Sequence, residues 1–168
     1  MPPFALLSIA AMLLTSTPTQ EPATPAPRPQ PGGWTLESDE INCALTKWVG
    51  QNMLMLIGPS AESAGGIAIS APAIATVQPG DDPDLALAFD RDPPRILPAT
   101  GVPAAGGTPG GYAVLLPLET LAQARPNGFA LNITRAGQPL YAFDASDAGP
   151  GMKALMDCSK AYLVAGSP

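Results

Sequence analysis

Two cysteines, Cys43 and Cys158, stand near opposite ends of a chain of 168 residues. Joined, they would fasten the last element of the fold to one of the first. Neither belongs to a Cys-x-x-Cys pair, so thioredoxin-like redox chemistry and zinc-ribbon sites fall away. Each lies on the apolar side of its own segment. Cys43 alternates with Ile41 and Leu45, as on a strand, and Cys158 shares a helical stripe with Met152, Leu155 and Tyr162. In an exported chain an even count implies oxidation. In a reducing compartment the same two residues would be buried free thiols.

The N-terminus bears on that choice. Residues 1–19 carry no charged side chain, and Phe4 to Leu14 form an apolar run, FALLSIAAMLL. The run is too short to span about 30 Å of hydrocarbon, yet it has the length of a signal-peptide core. Thr15, Ser16, Thr17 and Thr19 follow as small residues near a cleavage point. The alternative is a buried N-terminal helix. Residues 20–32 are read as a disordered proline-rich linker. Pro18 to Pro31 hold six prolines in fourteen residues, a density that opposes helix and ladder alike.

Residues 33–165 are then one β-rich domain. Trp34–Glu37 and Ile41–Thr46 alternate apolar and polar side chains, as half-buried strands do. Asn52–Ile57, Ile67–Ser70, Ile74–Val77, Asp84–Asp90 and Tyr112–Leu116 read as further strands. Pro117 opens a short helix, with Leu118, Leu121 and Ala122 on one side. Phe129–Thr134 and Leu140–Asp144 form a hairpin around Ala136-Gly137. Pro150 to Tyr162 is a helix. The expected fold is mainly antiparallel β: a small sandwich or curled sheet, one disulfide, and a C-terminal helix packed on it. Arg91 to Gly111 interrupts the pattern with five prolines and five glycines in 21 residues. It reads as a long loop, a class that is functional or disordered. Ile96 and Leu97, isolated within it, are the candidate interaction residues.

Composition removes several functions. The chain carries a net charge of −6 with eight scattered basic residues, which disfavours nucleic acid and anionic membrane surfaces. There is no histidine, so Ser–His–Asp triads, Cys–His pairs and His-ligated metals are excluded. Asp81, Asp82, Asp84, Asp90 and Asp92 lack calcium-loop spacing and read as solvated turns. Asp144-Ala145-Ser146 lacks the glycine of an aspartic-protease loop, and Ser60 and Ser63 lack a nucleophile-elbow motif. Trp34 and Trp48 read as core or rim, or as platforms for a sugar or peptide. No catalytic residue, metal ligand or cofactor is assigned.

The layout has a likeness. Trp34 stands nine residues before Cys43, and ALNITRAGQPLYAFD (Ala130–Asp144) is followed by MKALMDC (Met152–Cys158). With the leader, this arrangement resembles small exported proteobacterial proteins of the invasion-associated locus B type, although that type often carries more cysteines. The resemblance implies a β-sandwich-like periplasmic domain and supplies no catalytic residues. The leading expectation is a periplasmic or secreted, non-enzymatic binding or envelope-accessory protein, not membrane-embedded once processed. Its partner would be a protein or envelope component of unknown identity. The alternatives are a carboxylate-based envelope hydrolase and a protein inhibitor acting through residues 91–111.

Overall fold

The computed structural model describes residues 26–105 and 109–164. The signal-peptide reading, and the linker reading up to residue 25, lie outside them. Ten strands follow in order: β1 (Arg28–Gln30), β2 (Trp34–Ser38), β3 (Cys43–Val49), β4 (Asn52–Ile57), β5 (Gly66–Ser70), β6 (Asp84–Phe89), β7 (Arg95–Val102), β8 (Gly111–Leu115), β9 (Phe129–Arg135) and β10 (Gln138–Ala145). Helix α1 (Leu118–Ala124) joins β8 to β9, and α2 (Gly149–Val164) is the last of the described elements.

Every strand pairing is antiparallel, in the spatial order β1-β2-β3-β4-β5-β8-β7-β6-β9-β10. The sheet curls so that its two ends face each other. The Trp34 ring of β2 lies 6.4 Å from the Phe143 ring of β10, and the Tyr141 hydroxyl of β10 donates to the Met53 carbonyl of β4 at 2.8 Å. Alternation sorts the side chains. Leu36, Leu45, Leu54, Leu56, Ile67 and Ile69 on one side meet Leu85, Leu87, Leu131 and Ile133 on the other in a single core. The β9–β10 hairpin turns at Ala136-Gly137, with φ of 50° and 78°. Two successive left-handed residues are what a tight turn needs to match strand twist.

Cys43 and Cys158 form the disulfide, with their Cα atoms 6.2 Å apart. It ties α2 to β3. The helix buries Met152, Leu155 and Ser159, while Cys158 and Tyr162 are half-buried; the Tyr162 hydroxyl donates to the Asp39 carbonyl at 2.7 Å. α2 sits tight on the sheet because Gly58 lets it. A Cβ at Gly58 would lie 2.0 Å from the Ser159 hydroxyl oxygen.

Four sequence expectations are corrected. Arg28–Gln30 is not linker but a strand, paired with Trp34–Leu36. It pairs on one side only, so Pro29 can occupy it without losing a ladder bond. Ile74 does not open a strand; Pro72–Ile74 is a 3-10 turn that buries Ile74, and Val77 is buried just beyond it. Ile41 is exposed in the β2–β3 turn. Most consequentially, Arg91–Gly111 is not one long loop, because β7 runs through its middle and includes Ile96 and Leu97.

The disulfide closes a separation of 115 residues. In the chain-entropy limit such a bridge contributes about 4–5 kcal/mol, and natural bridges deliver about 2–5. The double variant Cys43→Ala/Cys158→Ala should therefore lose several kcal/mol in a urea titration. A midpoint equal to that of the oxidised protein would contradict the clamp.

Candidate functional site

The site is built by the way β7 changes partners along its length. Its first half pairs with β6: Arg95 opposite Leu87, Ile96 opposite Ala86, Leu97 opposite Leu85, and Pro98 opposite Asp84. Its second half pairs with β8: Ala99 opposite Val114, through Val102 opposite Gly111. Pro98 stands at the junction, where a missing N–H leaves the next ladder intact. Residues 95–97 therefore have a strand on the β6 side only.

Beside that open edge lies a cleft of about 170 Å³ between β6, β7, the end of β8 and α1. Leu87, Leu97, Leu116 and Leu121 line it, with Phe89 and Leu115 among its other apolar walls. Leu87 is fully buried, Leu116 and Leu121 nearly so, and Leu97 is half-buried. Arg95 and Arg125 also line this cleft. Arg125 is held in place: its Nε donates to Asp90 at 2.9 Å, its Nη2 to Asp92, and its guanidinium lies 5.4 Å from the centre of the Phe89 ring. Asp90 in turn accepts from the Ala130 backbone N–H at 2.8 Å.

The two residues singled out in the sequence divide between the faces of β7. Leu97 enters the cleft. Ile96 points to the opposite face and is 73% exposed. Leu115 joins the two surfaces; it touches the cleft and is itself 77% exposed. That outer face is unusual for an antiparallel sheet, whose solvent side is normally polar. One register row runs Glu37, Ala44, Ile57, Gly66, Leu115, and the next runs Thr35, Thr46, Met55, Ala68, Ala113, Thr100. Only Glu37 in these rows is charged. The sequence signal for it was present in β4, β5 and β8, whose runs are apolar on both alternations.

Several other polar groups are spent on structure. Asp147 accepts from the Trp34 indole N–H at 2.9 Å and from Lys47 at 2.6 Å, tying the segment before α2 to β2 and β3. Trp34 is thus core, while Trp48 is half exposed. The buried Tyr112 hydroxyl donates to Asp81 at 2.5 Å and accepts from Arg135 at 2.9 Å. The Tyr112 bond holds the Asp81 carboxyl below its ordinary pKa, and burial pushes the Tyr112 phenol up. Asp82 accepts from the Gly101 backbone N–H, and Asp144 from that of Ser146. Among the described residues no three His, Cys, Asp or Glu side chains converge as a metal site, and no helix is long and apolar enough to cross a membrane.

A broader, shallower hollow of about 540 Å³ lies by Ala26 and Pro27, over Glu37, Ala44 and Ile57. It gathers no basic group and no leucine floor, so the β7 cleft is the better-formed site.

Burial raises the pKa of Asp147, but the bonds from Lys47 and Trp34 outweigh it and the net shift is downward. A carboxyl depressed in the folded state stabilises fully above its unfolded pKa, about 3.9, and loses that contribution as pH falls through the folded value. The melting temperature should drop below about pH 4, and Asp147→Asn should flatten the drop. Parallel curves for the two proteins, followed by circular dichroism from pH 6 to 2, would count against this role. Comparison with protein-family models, curated proteins and solved structures finds no match for this chain.

Proposed function

We propose that this chain is an exported, non-enzymatic binding protein of the cell envelope, periplasmic or secreted, which engages its partner through β7 and the end of β8. One observation carries the reading. Ile96 and Leu115, two large aliphatic side chains on neighbouring strands, are 73% and 77% exposed beside a sheet face almost free of charge. Clustered apolar exposure rimmed by polar groups marks interaction surfaces in soluble proteins. The disulfide supports an oxidising compartment, and the leader of residues 1–19 supports the route to it. The layout shared with exported proteins of the invasion-associated locus B type points the same way.

The carboxylates lend little to a hydrolase. Asp90 and Asp92 neutralise Arg125, Asp81 is bound to Tyr112 and Arg135, and Asp147 to Lys47. An inhibitory loop would have to project from the body, whereas residues 95–102 are laddered into the sheet.

The test places a photo-crosslinking side chain at Ile96, at Leu115 and, as control, at Gln138 in the exposed β9–β10 hairpin of the full-length chain. Irradiation in the producing cell should give the same discrete adduct from positions 96 and 115 and none from 138. No adduct from either position, or an equal one from 138, would refute the reading.

A further inference from the structure

Eight basic side chains serve this chain of net charge −6, and six of them are engaged. Lys47, Arg125, Arg135, Lys153 and Lys160 form ion pairs, and Arg28 donates to Cys158 Sγ. Among the described residues, Arg91 and Arg95 have neither an ion pair nor a side-chain hydrogen bond. Both belong to the β6–β7 hairpin. Arg95 lines the leucine cleft and Arg91 stands in the turn that leads to it.

Three features thus meet at one place. Residues 95–97 offer a backbone edge with a strand on one side only. An apolar socket of about 170 Å³ opens beside it. One unpaired basic residue, Arg95, lines that socket, and a second, Arg91, stands in the turn that leads into β7. We propose that this hairpin takes an extended, acidic polypeptide segment of a partner protein by strand addition to β7, with one aliphatic side chain seated in the Leu87–Leu97–Leu116–Leu121 socket. The inference rests on the binding role just proposed and names the kind of partner.

Size decides the occupant. Sites for whole small ligands run to about 300–1,000 Å³, whereas this socket matches a single anchor side chain. Strand addition supplies affinity through main-chain bonds and specificity through pockets for alternate side chains. The edge and the socket here are adjacent, as that division requires. Sign decides the flanking residues. Among the residues that line the cleft, Arg95 and Arg125 stand against Asp92, and the adjoining turn adds Arg91 and Asp90, so bases outnumber acids there on a chain that is otherwise acidic. Beyond about 8 Å at physiological salt the remaining negative charge is screened, and a segment lying against the hairpin senses the local guanidinium groups.

The experiment uses the full chain and three short capped peptides: a leucine between glutamates, an alanine between glutamates, and a leucine between lysines. Binding is read by chemical-shift perturbation and by titration at low and physiological salt. The acidic leucine peptide should bind, shift the amides of residues 95–97, and weaken as salt rises. The other two should bind at least about tenfold more weakly. Arg91→Glu/Arg95→Glu, both exposed, should cost about tenfold or more in affinity, and Leu97→Trp should block the socket. Circular dichroism on each variant checks that the fold persists, and the charge variant stands alone should Leu97→Trp fail to fold.

Equal binding of the lysine peptide, an unchanged affinity in the charge variant, or no perturbation at millimolar acidic leucine peptide would overturn the proposal. So would hexanoate binding as tightly as the peptide, since that would make the cleft a small-ligand site. Crosslinks from Ile96 and Leu115 that persist in the charge variant would separate the two readings: the binding role would stand and the acidic-strand partner would fall.

Discussion

A proline in the middle of β7 organises the cleft end of this molecule. Pro98 cannot donate to a ladder, so a strand that contains it cannot be paired continuously on both sides. The chain resolves this by letting β7 serve two neighbouring strands in succession, β6 up to Pro98 and β8 after it. The switch turns the corner of the curled sheet. It also leaves residues 95–97 with a bare edge, next to the place where β8 stops and α1 begins. α1 covers the gap incompletely, and the remainder is the leucine cleft. The open edge, the socket and the exposed Ile96–Leu115 pair are consequences of one backbone decision.

An open edge needs a body that does not yield when something docks on it. That rigidity comes from the far side of the fold. The disulfide holds α2 on β3, and the Trp34–Asp147–Lys47 cluster holds the segment just before α2 on β2 and β3. Asp147 is partly exposed, so its ion pair with Lys47 is worth little by itself. Its value lies in geometry: one carboxylate satisfies a buried indole N–H and a lysine at once, which fixes the approach of the helix. Removing it would leave the Trp34 donor without a partner inside the core.

Much of this architecture was legible in the residues, and where it was not the cause is physical. Alternation located β2, β3, β6 and β9 because each buries one face against the same core, and β10 followed as the hairpin partner of β9. The helical stripe of Met152, Leu155 and Cys158 located α2 and, with Cys43, its covalent anchor. Local reading failed where tertiary pairing overrides composition. Arg28–Gln30 and Arg95–Val102 contain prolines at places where no ladder bond is lost, a fact that depends on the neighbouring strand. Ile96 and Leu97 were visible as aliphatic residues out of place. That they occupy opposite faces of a strand, one in a socket and one in the open, needed β6 and β8. The contributions of Leu87, Leu116, Leu121 and Arg95 to one cleft had no local signal, since they come from two strands, a connecting segment and a helix.

The charge economy narrows what the surface can recognise. Only 13% of the residues are charged, and acids outnumber bases fourteen to eight. In such a chain an uncompensated base is scarce, and five of the eight are tied to carboxylates within the fold. The outer sheet face carries almost no charge of either sign, so it contributes area without discrimination. Discrimination must then come from the one border where apolar surface, a free backbone edge and unneutralised guanidinium groups coincide. Arg125 does not supply it, because Asp90 and Asp92 already occupy its fork and Phe89 its face. Arg95 sits at the junction of all three elements, so under the binding role proposed above it is the residue through which a partner's sign would be read.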